Sequence, residues 1–379
     1  MTSPLTNMCQ THHKRKEHYQ QSNLTLQQSI SYLDIPSIQQ IPSPILSMSK
    51  IVTVIGATGI QGGSVIIAIL KDPSYTIRAL IRNVESSAAL ALRALGVEVI
   101  QGDINDINSL RVAFDGSYAI FAVTNFFENI PTLSIKEAME KETRLGINLA
   151  EVAASTESLV HYVWSTLPNS RKNTSGNIVV PFFESKNAVD EYIKTKQPEL
   201  LAKTTFLRLG WYASNMSYPW FKPSEIHTAD GSKVHLQVIS MPPSVTIPLL
   251  GCEKVNIGLF AKAILDHPEK TLPAKTVAGF AEKMSWKKMV HCYAEAHGIE
   301  VRCVRISKED YRALWPVWGE LMDAANDYYE FMGAGGMLGR DQEENVLGSE
   351  ELGVQGLVGV ADAFARMKSL NWYSCIFTK

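Results

Sequence analysis

From Lys50 onward the chain alternates short apolar, β-branched runs with longer stretches whose apolar residues recur at helical spacing. Ile51 to Ile55 has the pattern of a buried parallel strand, and Gly62 to Leu70 continues as a helix that ends before Pro73. Thr76 to Ile81 predicts a second strand, Ser86 to Leu95 a helix closed by Gly96, and Val97 to Gln101 a third strand. The alternation goes on through a helix at Leu110 to Phe114, a strand at Tyr118 to Val123, a long amphipathic helix at Ile135 to Ser155 and a strand at His161 to Trp164. A helix at Glu184 to Thr195 and a strand at Thr204 to Leu209 complete the series. Strands and helices in this order predict an α/β fold, a doubly wound parallel sheet with right-handed crossovers.

Beyond Trp211 the pattern is broken by Pro and Gly, with helices expected near Asn256 to Leu265, Ser285 to His297 and Lys308 to Glu330. The organisation expected is a sheet domain over 48–210 and a smaller C-terminal α+β lobe over 211–379, a substrate or partner lobe with some return to the sheet. Gly333 to Gly336 reads as a flexible connector, and Ser374 to Lys379 as a loose end. The first 47 residues, dominated by Gln, Ser, His and Thr, sustain no apolar period. They read as a disordered tail, or as an over-extended start ahead of Met48.

Charge narrows the partners. With 36 Lys and Arg against 38 Asp and Glu, no strong field draws nucleic acid or an anionic membrane. Five scattered cysteines fit neither a disulfide framework nor a zinc site, and no apolar stretch reaches the roughly 18–20 residues of a membrane span. His291, Cys292, His297 and Cys303 do not complete a ligand set, so no metal is expected. The expectation is a soluble, cytoplasmic or nuclear protein with no direct nucleic-acid or membrane contact.

The chemistry begins where the first strand meets its helix. Gly56-Ala57-Thr58-Gly59-Ile60-Gln61-Gly62-Gly63 has the form of a dinucleotide phosphate turn. One glycine permits the tight turn, another removes a side chain that blocks the pyrophosphate, and a third lets helix and strand approach. The helix N-terminus then offers free N–H groups to the phosphates. The second strand ends at Arg82-Asn83, where an Arg can pair with the 2′-phosphate of NADP. The alternative is an exposed Arg offset by Glu85. Asp103 and Ile104 are placed to flank adenine, although Asp103 also suits the N-cap of the following helix. Thr124 and Asn125, past the fourth strand, fall on the nicotinamide side, and Trp211 and Tyr212 are expected to line the cleft. These features together describe a Rossmann-type NAD(P)-binding domain.

The Gly-x-Gln-Gly form of the turn, Arg82-Asn83, Gly102-Asp103, Val123-Thr124-Asn125 and Arg208-Leu209-x-x-Tyr212-x-x-Asn215 resemble the NmrA-like family of atypical short-chain dehydrogenases/reductases over about Ser49 to Leu370. The resemblance implies bound NADP(H) or NAD(H), with Tyr212 and Asn215 among the residues near it. It also implies one of two roles, an oxidoreductase acting in a small-molecule or secondary-metabolite pathway or a redox-sensing transcriptional co-regulator with a protein partner.

Classical reductases carry Tyr-x-x-x-Lys on one helix, the Tyr delivering a proton and the Lys lowering its pKa. Here Lys186 is present, Phe182 stands where the Tyr belongs, and Ser165 matches the carbonyl-orienting Ser. Three readings follow. Lys186 handles the proton, as a Lys is thought to do in isoflavone-reductase-like relatives; or an activated acceptor such as a quinone or iminium needs no strong acid; or Lys186 only holds the ribose and the protein senses nucleotide. The leading expectation is an NADP(H)-preferring reductase of a small aromatic or conjugated metabolite, with Lys186 and Ser165 catalytic. The aromatic residues from Tyr311 to Phe331 read as lobe packing.

Overall fold

The computed structural model describes residues 49–339 and 346–369; the N-terminal segment 1–47 and the segment from Ser374 to Lys379, both read from sequence as loose, lie outside the described residues. Strands β1 (Lys50–Val54), β2 (Tyr75–Ile81), β3 (Glu98–Gln101), β4 (Ala119–Ala122), β5 (His161–Thr166) and β6 (Thr204–Leu209) alternate with five helices. These are α1 (Ile60–Ile69), α2 (Ser87–Ala94), α3 (Ile107–Phe114), α4 (Ile135–Ala154) and α5 (Pro181–Lys196). Ser86 caps α2, Asp106 caps α3, and Ser134 with Glu137 forms a capping box on α4, so orphan N–H groups at these starts are satisfied by local sequence.

The strands of the second half divide between sheet and lobe. They are β7 (Trp211–Tyr212), β8 (Ser224–His227), β9 (Lys233–Ile239), β10 (Thr246–Gly251), β11 (Lys275–Gly279), β12 (Glu282–Ser285), β13 (Val301–Arg305) and β14 (Val346–Leu347). The main sheet runs β14-β11-β6-β5-β4-β1-β2-β3, with every neighbouring pair parallel. The order reverses at β1, the topological switch point where doubly wound sheets bind ligands. Two three-stranded sheets, β12-β10-β7 and β13-β9-β8, belong to the lobe.

Close backbone approaches fix the layers. Helix α6 (Glu253–Asp266) lies against α1, where a Cβ on Gly258 would meet Ser64 O at 2.1 Å and Gly258 N–H donates to Ser64 Oγ at 2.8 Å. On the opposite face α4 packs on α5, with Gly146 facing Val189. Val65, Ile66, Ile257 and Phe260 fill one face of the sheet, and Leu149, Trp164, Val189 and Phe206 the other, which is why the strands read as continuous apolar runs.

Helices α7 (Trp286–His297), α8 (Lys308–Leu314), α9 (Trp318–Met332) and α10 (Val360–Ser369) complete the lobe. Its core holds Trp211, Phe221, Trp286, Tyr311, Tyr328 and Phe364. The single helix expected over Lys308 to Glu330 is two helices, because Pro316 cannot continue the helix and Val317 turns the chain at φ 70°, with Trp318 N–H donating to Pro316 O at 2.9 Å. Within the expected connector, Gly333–Gly335 forms a 3-10 turn, and Tyr328 Oη donates to Gly336 O at 2.8 Å. Among the described residues no helix is long and apolar enough to cross a membrane.

Candidate active site

The glycine turn leaves β1 with Gly56 at φ +67°, where a Cβ would come within 3.0 Å of Val123. Gly59 N–H donates to Gly56 O at 2.8 Å, and a Cβ on Gly62 would stand 2.3 Å from that same oxygen. Only glycine permits so close a return of α1 over the turn. Gly56, Thr58 and Gly59 are exposed while Ile60 is half-buried, and no side chain caps α1 at Gly59. The first N–H groups of α1 therefore meet the open turn, the arrangement that fits the phosphates of a dinucleotide. Gln61 donates through Nε2 to Tyr212 Oη at 3.0 Å, and its buried Oε1 accepts no hydrogen bond among the described residues. Burial, with the nearby Glu253 carboxyl, raises the Tyr212 phenol pKa. Asn215 is half-buried in the 3-10 segment that follows.

At the carboxyl end of β2, Arg82 is exposed and pairs with Glu128, Nη1 to Oε1 at 2.8 Å. Glu85, the partner offered by sequence proximity, instead lies 3.8 Å from Arg93. Asn83 closes a local turn, its side-chain oxygen accepting from Glu85 N–H at 3.0 Å. Asp103 is not the cap of α3, a role that Asp106 takes. Although burial works to raise it, hydrogen bonds from Asn105 and the field of Arg82 hold the Asp103 carboxyl below the usual range. Ile104 O accepts from Asn148 Nδ2 at 3.1 Å.

A buried polar cluster stands at the carboxyl end of β4. Lys186 Nζ donates to Thr124 O and Thr124 Oγ1, both at 2.9 Å, and pairs with Glu142 Oε1 at 3.0 Å. Thr124 Oγ1 donates to the same Glu142 oxygen at 2.8 Å, while Ser185 Oγ donates to Oε2. These three acceptors match the three N–H donors of the ammonium. Both ionised side chains are almost wholly buried, so each holds the other in place. Ser165 is buried near the end of β5, and the ring of its neighbour Trp164 lies 5.5 Å from Lys186 Nζ. Asn125 does not enter the cluster. It is exposed, and its Oδ1 accepts from Phe127 N–H at 3.1 Å, capping the 3-10 turn Phe126–Glu128.

Phe182 lies in a row of rings. Its ring centroid is 5.1 Å from Phe127, which stacks on Trp318 at 5.8 Å; Trp318 stacks on Trp220 at 4.6 Å, and Trp220 on Tyr218 at 5.0 Å. Trp318 thus belongs to an aromatic wall that reaches from the lobe to the end of β4. Trp211, expected at the cleft, is instead buried in the lobe core against Phe221 and Trp286.

The family model for the NmrA-like family matches residues 48–340. The chain belongs to the NmrA-like family. An NmrA-like family domain-containing oxidoreductase of Aspergillus campestris is 29% identical over 280 residues, covering 70% of this chain and 78% of that one. Another, from Aspergillus hancockii, is 34% identical over 167 residues, covering 44% of this chain and 48% of that relative, so this match spans about half of each. Among solved structures, the negative transcriptional regulator NmrA in complex with NAD aligns with a TM-score of 0.60 at 20% identity, over 85% of this chain and 91% of that one. An NADPH-dependent quinone oxidoreductase of Escherichia coli in complex with NADPH aligns with a TM-score of 0.59 at 16% identity, over 84% and 99%. These similarities show the Rossmann fold of an NmrA-like protein.

Glu142, Ser185 and Glu128 of this NmrA-like chain are site residues beyond those expected from the sequence. Glu142 carried a signal, for it lies on the buried stripe of α4 between Ala138 and Leu145, where an acid needs a partner. Ser185 adjoins Lys186 but carries no signal of its own. Glu128 carried none, since its partner is 46 residues away along the chain.

Proposed function

We propose that this chain is an NADP(H)-dependent reductase of a small aromatic or conjugated acceptor. The observation that carries the reading is the buried Lys186–Thr124–Glu142–Ser185 cluster, set at the carboxyl end of β4 beside the glycine turn, with the aromatic wall carrying Phe182 and Phe127 next to it. The N–H groups of Gly56 to Gly62 hold the diphosphate, Arg82 takes the 2′-phosphate, and Lys186 and Tyr212 border the nicotinamide ribose. When bound, the nucleotide supplies a hydride to the acceptor. Ser165 Oγ orients the acceptor oxygen, and Lys186 Nζ holds the proton which that oxygen takes up. For this the acceptor replaces Thr124 Oγ1 as a partner of Lys186, while Glu142 keeps the ammonium in position. The aromatic rings supply stacking surface for a planar substrate.

A non-catalytic sensor that binds a protein partner according to nucleotide state is the second reading. What favours it is that a hydrocarbon ring, Phe182, stands at the proton-donor position and that all three Lys186 donors already have acceptors. The discriminating experiment is NADPH oxidation against a panel of quinones and enones, whose oxygens take up a proton, by the wild type, Lys186→Met and Ser165→Ala. The reductase requires turnover in the wild type and a loss of at least tenfold in Lys186→Met with NADPH still bound. Nucleotide binding without turnover of any acceptor class supports the sensor.

A further inference from the structure

We infer that Glu128 is a cofactor-discriminating residue, competing with the 2′-phosphate of NADP(H) for Arg82. The inference rests on the dinucleotide reading above. In the sheet order β1 lies between β2 and β4, and the glycine turn leaves the end of β1. Arg82 follows β2 directly and Glu128 closes the 3-10 turn after β4, so their 2.8 Å ion pair arches over the end of β1. A clasp in that place connects the two sides of the nucleotide cleft.

Charge explains how the clasp selects. Arg82 is set between two acids, Glu128 in contact and Asp103 close enough to feel its field. The guanidinium that would read a 2′-phosphate is therefore already engaged. A nucleotide bearing that phosphate has to displace Glu128, and it can do so because the pair is solvent-screened, with the Arg82 side chain 58% exposed. A phosphate dianion is the stronger, bidentate partner of an arginine. A nucleotide with a free 2′-hydroxyl has nothing to displace, and Glu128 offers it an acceptor as well. Glu128 thus narrows the gap between NADP(H) and NAD(H) that Arg82 alone would open.

The test is calorimetric titration of the full chain with NADPH and with NADH, for the wild type, Glu128→Gln, Arg82→Ala and the double variant. Glu128→Gln is expected to tighten NADPH about two- to fivefold, the range of an exposed ion pair, and to leave NADH within about twofold. The gain disappears in the Arg82→Ala background. An unchanged NADPH-to-NADH ratio in Glu128→Gln overturns the inference, as does a gain that survives without Arg82. If Arg82→Ala loses NADPH selectively while Glu128→Gln has no effect, the dinucleotide reading stands and the inference alone fails. If the wild type binds neither nucleotide, both fail together.

Discussion

Glu142→Gln removes a charge from the centre of the proposed site while keeping the shape of the side chain. In the native cluster the carboxylate lies 3.0 Å from Lys186 Nζ, with the two side chains 1% and 9% exposed. At that distance, with an effective dielectric constant of about 20, the attraction is on the order of 5 kcal/mol. Thr124 O and Oγ1 still accept from the ammonium in the variant, so part of the loss is covered and the expected destabilisation is about 3–4 kcal/mol. Lys186→Met leaves Glu142 with the hydroxyls of Ser185 and Thr124 and is expected to cost about 2–4 kcal/mol. The double variant contains no unpaired charge, so its cost falls short of the sum of the single ones by about 2–3 kcal/mol. Urea unfolding of the four proteins, followed by circular dichroism, measures this coupling. Costs that add to within about 0.5 kcal/mol would show that the two residues are not energetic partners and that Glu142 does not position Lys186.

Three other outcomes are expected. Gly62→Ala puts a Cβ 2.3 Å from Gly56 O, and the turn must open; NADPH affinity measured by titration falls at least about tenfold, whereas retained affinity would remove the turn from the binding site. Burial raises the Asp190 carboxyl pKa to about 6, so the folded state holds the proton more tightly than the unfolded chain and this group's contribution to stability declines as pH rises from about 4 to about 6. Asp190→Asn, which keeps an acceptor for Trp164 Nε1, therefore gains on the wild type by up to about 3 kcal/mol across that window, and a pH-independent difference in urea midpoints would contradict the assignment. In Phe182→Tyr, a phenol placed among the rings of Phe126, Phe127 and Phe183 leaves turnover within about twofold; a tenfold rise in kcat would mean that the missing hydroxyl limits the reaction.

The half of the molecule that carries the glycine turn was legible because its central strands are buried on both faces and α2, α3 and α4 carry side-chain caps, so local pattern and tertiary position agree. The lobe was not. Prolines interrupt its pattern, Pro219 and Pro223 ahead of β8, Pro242 and Pro243 between β9 and β10, and Pro248 within β10, so no period is sustained long enough to be read. Pro316 did mark a helix end, but the apolar spacing on either side of it suggested one continuous helix. In the site, the glycine spacing and Lys186 could be read because a local motif contains them. Glu142 and Glu128 act on Lys186 and Arg82 across 44 and 46 residues of sequence, and such pairings are created by the sheet order rather than by spacing.

The most direct measurement is calorimetric titration of the intact protein with NADPH, followed in the same sample by rapid mixing with quinone and enone acceptors while nicotinamide absorbance is recorded. The account requires saturable binding of one nucleotide per chain and a single-turnover loss of reduced nicotinamide that slows at least tenfold in Lys186→Met. Tight binding with no loss of reduced nicotinamide for any acceptor would contradict the reductase and leave a nucleotide sensor.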